Sequence, residues 1–208
     1  MGYSRNHEAI VLRALDVGEA DRFCILLTRD AGRMGARAKG VRKTNSRKGG
    51  SLLPFQQVQV QVSGDTHPII IGASDAKGFG IEVHFLCFSR AARGIELLLA
   101  LTHDGEPMPA IFELTKDFLA ACGDKEWDPV PAFSLRLLGS LGLLPSEQDD
   151  PRFDALSGEA STFVGACAAG ASMRALRSLP VDTFELAQFV QAVSKDHVQR
   201  KMRAEELA

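Results

Sequence analysis

The stretch that decides the fold is EAIVLRALDVGEADRFCILLTRDAGRMGARAKGV, residues 8–41. It contains three short segments rich in apolar and β-branched residues, separated by turn-forming residues, which is the pattern of consecutive antiparallel strands. The segments span residues 8–15, 22–28 and 33–41, and the last two are close enough to form a hairpin through Ala31 and Gly32. The stretch therefore predicts a β-meander near the start of the chain.

Two further strands follow within the next 35 residues or so, a spacing typical of small all-β domains. The segment QQVQVQV, residues 56–62, alternates strictly, so Val58, Val60 and Val62 are predicted to share one face. The segment HPIIIGAS, residues 67–74, is more apolar and predicts a more buried strand. Five short strands in about 75 residues favour a small barrel of the OB type.

Beyond residue 78 the hydrophobic pattern changes to a helical period. Helices are predicted over residues 81–102, 108–123, 130–145, 161–179 and 181–208. The predicted fold class is therefore α+β, with an OB-fold domain over residues 1–78 and an all-helical domain over residues 79–208.

Composition excludes several classes of protein. The 208 residues are 45% hydrophobic and 24% charged, which is typical of globular domains and not of disordered chains. No apolar run reaches the roughly 18 residues of a membrane helix, and no secretory signal is visible, so we expect a cytoplasmic protein. Four widely separated cysteines form neither a disulfide framework nor a zinc motif, so we expect free thiols, no metal and no other cofactor.

Motifs for catalysis are also missing from the sequence. The segment from Gly35 to Gly40 approaches a phosphate-binding loop, but Val41 and Arg42 stand where Lys and Ser or Thr are needed. There is no G-x-S-x-G nucleophile motif, and the five histidines form no metal-binding pair. We therefore predict that the protein is not an enzyme.

The charge pattern points to a polyanionic partner. Residues 1–50 carry 11 Lys and Arg against 5 Asp and Glu, whereas residues 51–208 carry 13 against 21, which gives the net charge of −2. Between Gly32 and Gly50 there are seven basic residues and no acid, and the glycines permit close approach of a phosphate backbone. The predicted DNA-binding residues are Arg33, Arg37, Lys39, Arg42, Lys43, Arg47 and Lys48. The alternative is a solvated loop that only aids solubility.

The same residues resemble a known family. The segments AIVLR, GEADR, LLTRDAGR and AKGVR, with LLPF ending at Phe55, are similar to the start of the bacterial recombination mediator family RecO, and FSLRLLGSLGLLP continues the likeness. The resemblance implies an OB domain followed by helices, binding of single- and double-stranded DNA, annealing of complementary strands and help in loading a recombinase. It also implies two protein partners, RecR and the acidic C-terminal tail of the single-strand DNA-binding protein.

The resemblance carries over to particular positions. Arg33, Lys39, Arg42 and Arg47 match basic positions of the family, and Phe133 and Arg136 are the residues predicted to contact the tail. The sequence departs from the family where many members carry a four-cysteine zinc knuckle, since SEQDDPRFDALSGEAST contains no cysteine. An OB-fold RNA-binding or protein-interaction module without mediator activity is therefore the alternative function, followed by an enzyme that binds a metal or a nucleotide.

Overall fold

The computed structural model divides the chain into two compact units. The barrel unit comprises residues 1–81 and 102–119, and the helical unit comprises residues 82–101 and 120–208. The described residues are 4–43, 46, 49–81 and 84–206. The predicted domain bounds at residues 78 and 79 stay a prediction, but the compact barrel unit also includes residues 102–119, which sequence periodicity had assigned to the helical part.

Five strands form the barrel, in agreement with the predicted OB-type fold. They are β1 (Ser4–Val17), β2 (Asp21–Thr28), β3 (Gly32–Ala38), β4 (Gln57–Ser63) and β5 (Ile69–Lys77). Their order around the closed barrel is β1-β2-β3-β5-β4, so the meander of the first three strands is joined to a β4–β5 hairpin. The predicted mixed α+β class is confirmed.

Strand β1 is longer than predicted because it belongs to two strand pairs. Its first half pairs with β4, from Ser4 opposite Ser63, and its second half pairs with β2, ending with Val17 opposite Asp21. A register shift between Val11 and Arg13 lets the strand bend from one pairing to the other. Backbone hydrogen bonds extend the strand through polar residues that hydrophobic periodicity does not detect.

The inward face of the barrel is apolar and tightly filled. Val58, Val60 and Val62 point inward, which confirms their predicted common face, and each is at most 6% exposed. Their neighbours in the core include Ala9, Val11, Cys24, Leu26, Ala36, Ala38, Leu52 and Ile70. A fully buried Val or Leu stabilises a fold by about 1.5–3 kcal/mol relative to an exposed one, so the barrel interior is the main source of stability in this unit.

Six α-helices are described. They are α1 (Phe85–Leu101), α2 (Pro109–Ala121), α3 (Val130–Ser140), α4 (Gly158–Ala168), α5 (Met173–Arg177) and α6 (Thr183–Glu206). The single helix predicted over residues 161–179 is wrong, because Gly170 has a φ of +82° and Ser172 caps a new helix by accepting from the Ala175 N–H at 3.2 Å. Within the described part of the chain, no helix is long and apolar enough to cross a membrane.

In the helical unit, α3 is the central helix. It packs against α1, α4 and α6, and Ala132, Phe133, Leu135, Leu137 and Leu138 are completely buried. This helix is apolar around most of its circumference because neighbours cover it on several sides. It ends at Ser140 and not at residue 145, since Gly142 has a φ of +67° that terminates the helix.

Candidate nucleic-acid interface

The alternation of β3 separates its alanines from its arginines. Ala36 and Ala38 point into the barrel and are fully buried. Arg33, Gly35 and Arg37 occupy the alternate positions, so they lie on the outer side of the strand. The spacing of four residues between the two arginines therefore places both guanidinium groups on one surface.

One edge of β3 pairs with β2, and the other edge is bridged at two points among the described residues. The Arg37 N–H donates to the Pro68 carbonyl at 2.9 Å, and the Gly105 N–H donates to the Arg33 carbonyl at 2.8 Å. Gly35 lies midway between these bridges. Because alternate residues of a strand direct their N–H and C=O to the same edge, the backbone of Gly35 faces the interval between the two bridges.

A cleft of about 910 Å³ opens along this edge of β3. Its walls come from the start of β1, from β2 and β3, from the segment that leads into β5, and from the loop before α2. The charged residues that line it are the cations Arg5, Arg33, Arg37 and Lys39 and the carboxylates Asp65 and Asp104. We call it the basic cleft. It lies entirely within the barrel unit and carries a net positive charge on an acidic chain.

Arg33 has a structural partner inside the cleft. Its Nε donates to Oδ1 of Asp104 at 2.5 Å and its Nη1 donates to Thr102 Oγ1 at 3.4 Å. The side chain is only 15% exposed, whereas that of Asp104 is 65% exposed. Arg33 therefore holds the loop before α2 against β3, and its low exposure leaves little of the guanidinium accessible to an external phosphate.

Arg37 is also ion-paired, but its side chain is more exposed to solvent than that of Arg33. Its Nη2 lies 2.8 Å from Oδ2 of Asp21, and its side chain is 49% exposed. The Gly40 N–H donates to Oδ1 of Asp21 at 2.8 Å. This backbone hydrogen bond, and after it the Arg37 guanidinium, lower the pKa of Asp21, so the carboxylate stays charged. A guanidinium has five N–H donors, so Arg37 retains donors for a phosphate.

Lys39 and Arg5 differ from Arg33 and Arg37 because they are not ion-paired with a described carboxylate. Both side chains are exposed, and neither forms an ion pair with a carboxylate of the described residues. Lys39 follows β3 directly, and Arg5 lies near the start of β1, opposite Val62 of β4. They are the cations of the basic cleft that are most available to a phosphate.

The remaining predicted DNA-binding residues do not line the cleft. Arg42 is exposed. Its Nε is ion-paired with Asp16 Oδ2 at 3.2 Å, and its Nη1 donates to the Gly18 carbonyl at 3.0 Å. Lys43 is exposed in the turn after β3. Arg47 and Lys48 lie outside the described residues. The DNA-binding role of all seven residues stays a prediction, to which the structure adds a cleft containing Arg33, Arg37 and Lys39.

Arg5, His67 and Phe23 are among the residues that line the cleft and that the sequence did not predict as DNA-binding. Arg5 was not selected because 27 residues separate it from Gly32, and only the pairing of β1 with β4 brings it to the cleft. His67 lies in the segment before β5, and Phe23 is an aromatic residue of β2 that is 37% exposed. The one available signal in the sequence was Phe23 itself. Neighbouring residues of a strand face opposite sides, so an aromatic residue next to the buried Cys24 is expected on the outer face.

The two predicted partner-binding residues lie on α3 and have different environments. The prediction that Phe133 contacts a partner stays a prediction; its side chain is 0% exposed and belongs to the core of the helical unit. Arg136 lies one turn further along and is half-buried, and it forms no ion pair with a described carboxylate. Its charge acts on Cys167, opposing the effect of burial on that thiol.

The cysteines do not fit a zinc site. Cys24, Cys87, Cys122 and Cys167 are all buried and unpaired, and they belong to separate elements. Burial raises the pKa of Cys24 to about 11 and that of Cys122 and Cys167 to about 12, which favours neutral thiols over the thiolates that bind zinc. Over the described part of the chain, no three His, Cys, Asp or Glu side chains are grouped to hold a metal ion. The predicted absence of zinc stays a prediction.

An Asp–Arg pair lies in the cysteine-free segment after α3, residues 146–162. Asp150 caps a short 3₁₀ helix, Pro151–Ala155, and its carboxylate binds the Arg152 guanidinium at 2.5–3.0 Å. This side-chain hydrogen bond is the main reason that the pKa of Asp150 is lowered to about 2. Polar contacts made within the segment itself thus order it.

A five-stranded OB-type barrel with a basic cleft, followed by an all-helical unit, is the class of protein that these features define. Comparison with known families agrees. Residues 1–68 match the family described as Recombination protein O N terminal, and residues 88–203 match Recombination protein O C terminal. The chain belongs to the RecO family of DNA repair proteins.

Individual relatives give the same result. The chain is 36% identical over 156 residues to the DNA repair protein RecO of Myxococcus xanthus, which covers 72% of this chain and 61% of that relative. It is 32% identical over 195 residues to the DNA repair protein RecO of Anaeromyxobacter dehalogenans (strain 2CP-C), which covers 86% of this chain and 74% of that relative. The chain thus spans less than two thirds of the length of the first of these relatives.

Proposed function

We propose that this protein is a recombination mediator that binds single- and double-stranded DNA, anneals complementary strands and helps to load a recombinase during DNA repair. The observation that carries the proposal is the basic cleft, in which Lys39 and Arg5 are exposed without an ion-pair partner among the described residues on a chain of net charge −2. Membership of the RecO family supports a role in DNA repair and recombination.

The mechanism we propose is electrostatic and non-catalytic. Lys39, Arg5 and the exposed part of Arg37 neutralise phosphates and release the counterions condensed on them, which favours binding without reading the sequence. Two complementary strands repel one another through their phosphates. A protein that neutralises part of this charge lowers the repulsion and lets base pairing supply the free energy of annealing, so that no nucleotide hydrolysis is needed. A cytoplasmic location, where DNA is available, is part of the proposal.

The test is a charge reversal at the two unpaired cations. If about five phosphates are bound on single-stranded DNA, log K falls against log salt with a slope of about −3.5. The double variant Arg5→Glu/Lys39→Glu should bind at least tenfold more weakly, and its slope should become shallower by about 1.4, since two contacts are lost. Annealing of labelled complementary oligonucleotides should slow in parallel.

A matched control is available in the helical unit. Arg174 and Lys195 are exposed there, and Arg174→Glu/Lys195→Glu changes the net charge by the same amount. We expect this variant to retain the affinity and the salt slope of the unmodified protein within about twofold, because neither residue lines the basic cleft. Equal losses in both double variants would contradict a localised site and indicate a general charge effect.

The protein partners belong to the same proposal. We propose RecR and the acidic C-terminal tail of the single-strand DNA-binding protein, with Arg136 as the cation that receives the tail. Because Phe133 is completely buried, the tail would have to rely on Arg136 and on the surface around it. Arg136 is half-buried without a described carboxylate partner, which makes a new ion pair favourable there.

This part of the proposal is tested by titrating a tail peptide into the full chain. Binding in the micromolar range corresponds to about −8 kcal/mol. Arg136→Glu should weaken it severalfold while the affinity for DNA stays the same, and Arg174→Glu serves as the control on the same unit. If no binding is detected at millimolar peptide while strand annealing persists, the protein anneals DNA without using this tail.

A further inference from the structure

The basic cleft contains an aromatic ring whose position is set by a glycine. Phe23 of β2 lies opposite Arg37 in the register of the sheet and is 37% exposed. A Cβ atom added to Gly35 would lie 2.6 Å from Cζ of Phe23, well inside van der Waals contact. The ring therefore leans across the strand over the position where any other residue would place a side chain.

The same glycine exposes a backbone edge. Arg33 and Arg37 are bridged to neighbouring segments, and Gly35 lies between them with its N–H and C=O directed into the cleft. The two bridged residues are four apart, or about 13 Å along a strand. The interval thus combines a flat apolar ring, one backbone donor and one backbone acceptor, with Arg37 and Lys39 close by in sequence and Arg5 on another wall of the same cleft.

We propose that this interval holds one unpaired nucleotide, with its base stacked on Phe23 beside Gly35 and the flanking phosphates bound by Lys39, Arg37 and Arg5. The inference rests on the proposed DNA-binding function and deepens it, because it assigns a stacking residue and a preference for strands with accessible bases. Every base has a π-face, so stacking on an aromatic side chain is tolerant of sequence. The cleft volume of about 910 Å³ is within the 300–1,000 Å³ range typical of ligand sites.

Duplex DNA cannot use this site in the same way. Within a duplex both faces of each base are covered by its neighbours, and removing a base from the stack costs a few kcal/mol. Binding to a duplex would therefore depend on Arg5, Arg37 and Lys39 alone. An extended peptide is a poorer fit, since Gly35 offers it the hydrogen bonds of a single residue and the surrounding cations favour phosphate.

The experiment compares two ligands with the same phosphates. One is an oligothymidylate, and the other is an oligonucleotide of equal length in which every site is abasic. The unmodified protein should bind the oligothymidylate about tenfold more tightly, as expected for one stacked base. Phe23→Leu keeps an apolar side chain and loses the flat ring, so it should bring the two affinities within about twofold while binding to duplex DNA stays unchanged. Phe23→Tyr should restore the preference.

A second variant tests the role of the glycine. Gly35→Ala introduces the methyl group that would meet the Phe23 ring, and a side-chain tip can move aside without unfolding the strand. The displaced ring should lose the preference for bases as Phe23→Leu does. A direct readout is Phe23→Trp combined with Trp127→Phe, which leaves one tryptophan in the chain. Its fluorescence should be quenched by oligothymidylate and not by the abasic strand.

The outcomes separate this inference from the proposed function. If Arg5→Glu/Lys39→Glu abolishes binding while Phe23→Leu retains the tenfold preference for bases, the stacking site is refuted and the electrostatic site stands. If Phe23→Leu weakens the abasic and normal strands equally, the ring supports the fold of the cleft and stacks no base. If the charge reversal leaves affinity unchanged, the proposed site itself is wrong, whatever the Phe23 variants show.

Discussion

Both units contain arginines that are ion-paired within their own unit, but the barrel unit also places in a cleft two cations that have no ion-pair partner among the described residues. In the helical unit, Arg93 is ion-paired with Asp128 and Arg177 with Asp124. The buried Arg90 donates to the backbone carbonyl of Asp124. In the barrel unit, Arg5 and Lys39 have no ion-pair partner among the described residues.

The comparison shows that counting basic residues does not locate a binding site. An arginine beside a carboxylate stabilises its own unit, and its charge is already neutralised. A cation without such a partner remains available to an external anion, and that availability is decided by which acids the fold brings near it. In this protein the unpaired cations of the cleft lie on the barrel, although the helical unit also carries many basic residues.

The largest expected effect is on the core of the helical unit. Phe133→Ala removes a completely buried ring from the central helix, which should lower the free energy of unfolding by about 3–5 kcal/mol. Arg136→Ala, on the same helix and half-buried, should cost less than about 1 kcal/mol. Urea unfolding monitored by circular dichroism measures both. Similar values for the two variants would show that Phe133 is more accessible than the structure indicates.

A glycine tests how firmly the loop before α2 is held against the barrel. Gly32 has a φ of +72°, and a Cβ there would lie 1.9 Å from the Glu106 carbonyl oxygen. Gly32→Ala should therefore destabilise the protein by more than about 2 kcal/mol, because backbone strain and steric overlap add. Gly18 has a φ of +59° with open space around it. Gly18→Ala should therefore lower the free energy of unfolding only through backbone strain, by about 1 kcal/mol. Thermal unfolding should rank the two variants in this order.

The division between paired and unpaired cations can be tested within the cleft. Arg33→Gln removes the half-buried partner of Asp104 and should cost about 1 kcal/mol of stability with little change in DNA affinity. Lys39→Gln should leave stability unchanged and weaken DNA binding severalfold. The slope of log K against log salt should become shallower by about 0.7, because one phosphate contact is lost. Anisotropy titrations and urea unfolding of both variants provide the measurement. A stronger loss of affinity in Arg33→Gln would place Arg33 among the DNA contacts.

The smallest expected effect concerns acid stability in the helical unit. Its Arg152 partner lowers the pKa of Asp150 to about 2 from an ordinary value of 3.8. A carboxylate whose pKa is lower in the folded state contributes stability above its unfolded pKa and loses it as the pH falls toward the folded value. Asp150→Asn should therefore lower the melting temperature slightly at pH 6 and match the unmodified protein near pH 2. Asp154→Asn, an exposed neighbour, controls for net charge, and a constant difference at every pH would contradict the assignment.

Much of the architecture could be predicted because it depends on local patterns. The alternation of Val58, Val60 and Val62 and the apolar segments of the first meander report directly which residues face the barrel interior. Helix ends were less predictable. Gly170 and Ser172 divide one predicted helix into two, since a left-handed glycine and a capping serine outweigh the helical preference of the surrounding alanines.

The sequence by itself determined the fold class, the family and the concentration of positive charge after β2, because each depends on residues that are neighbours along the chain. Only the tertiary structure decided which charges remain available. Arg33 meets Asp104 from 71 residues away, Arg5 reaches the cleft through the pairing of β1 with β4, and Phe133 is enclosed by other helices. Electrostatic pairing and burial act through distance in space, which the order of residues does not encode locally.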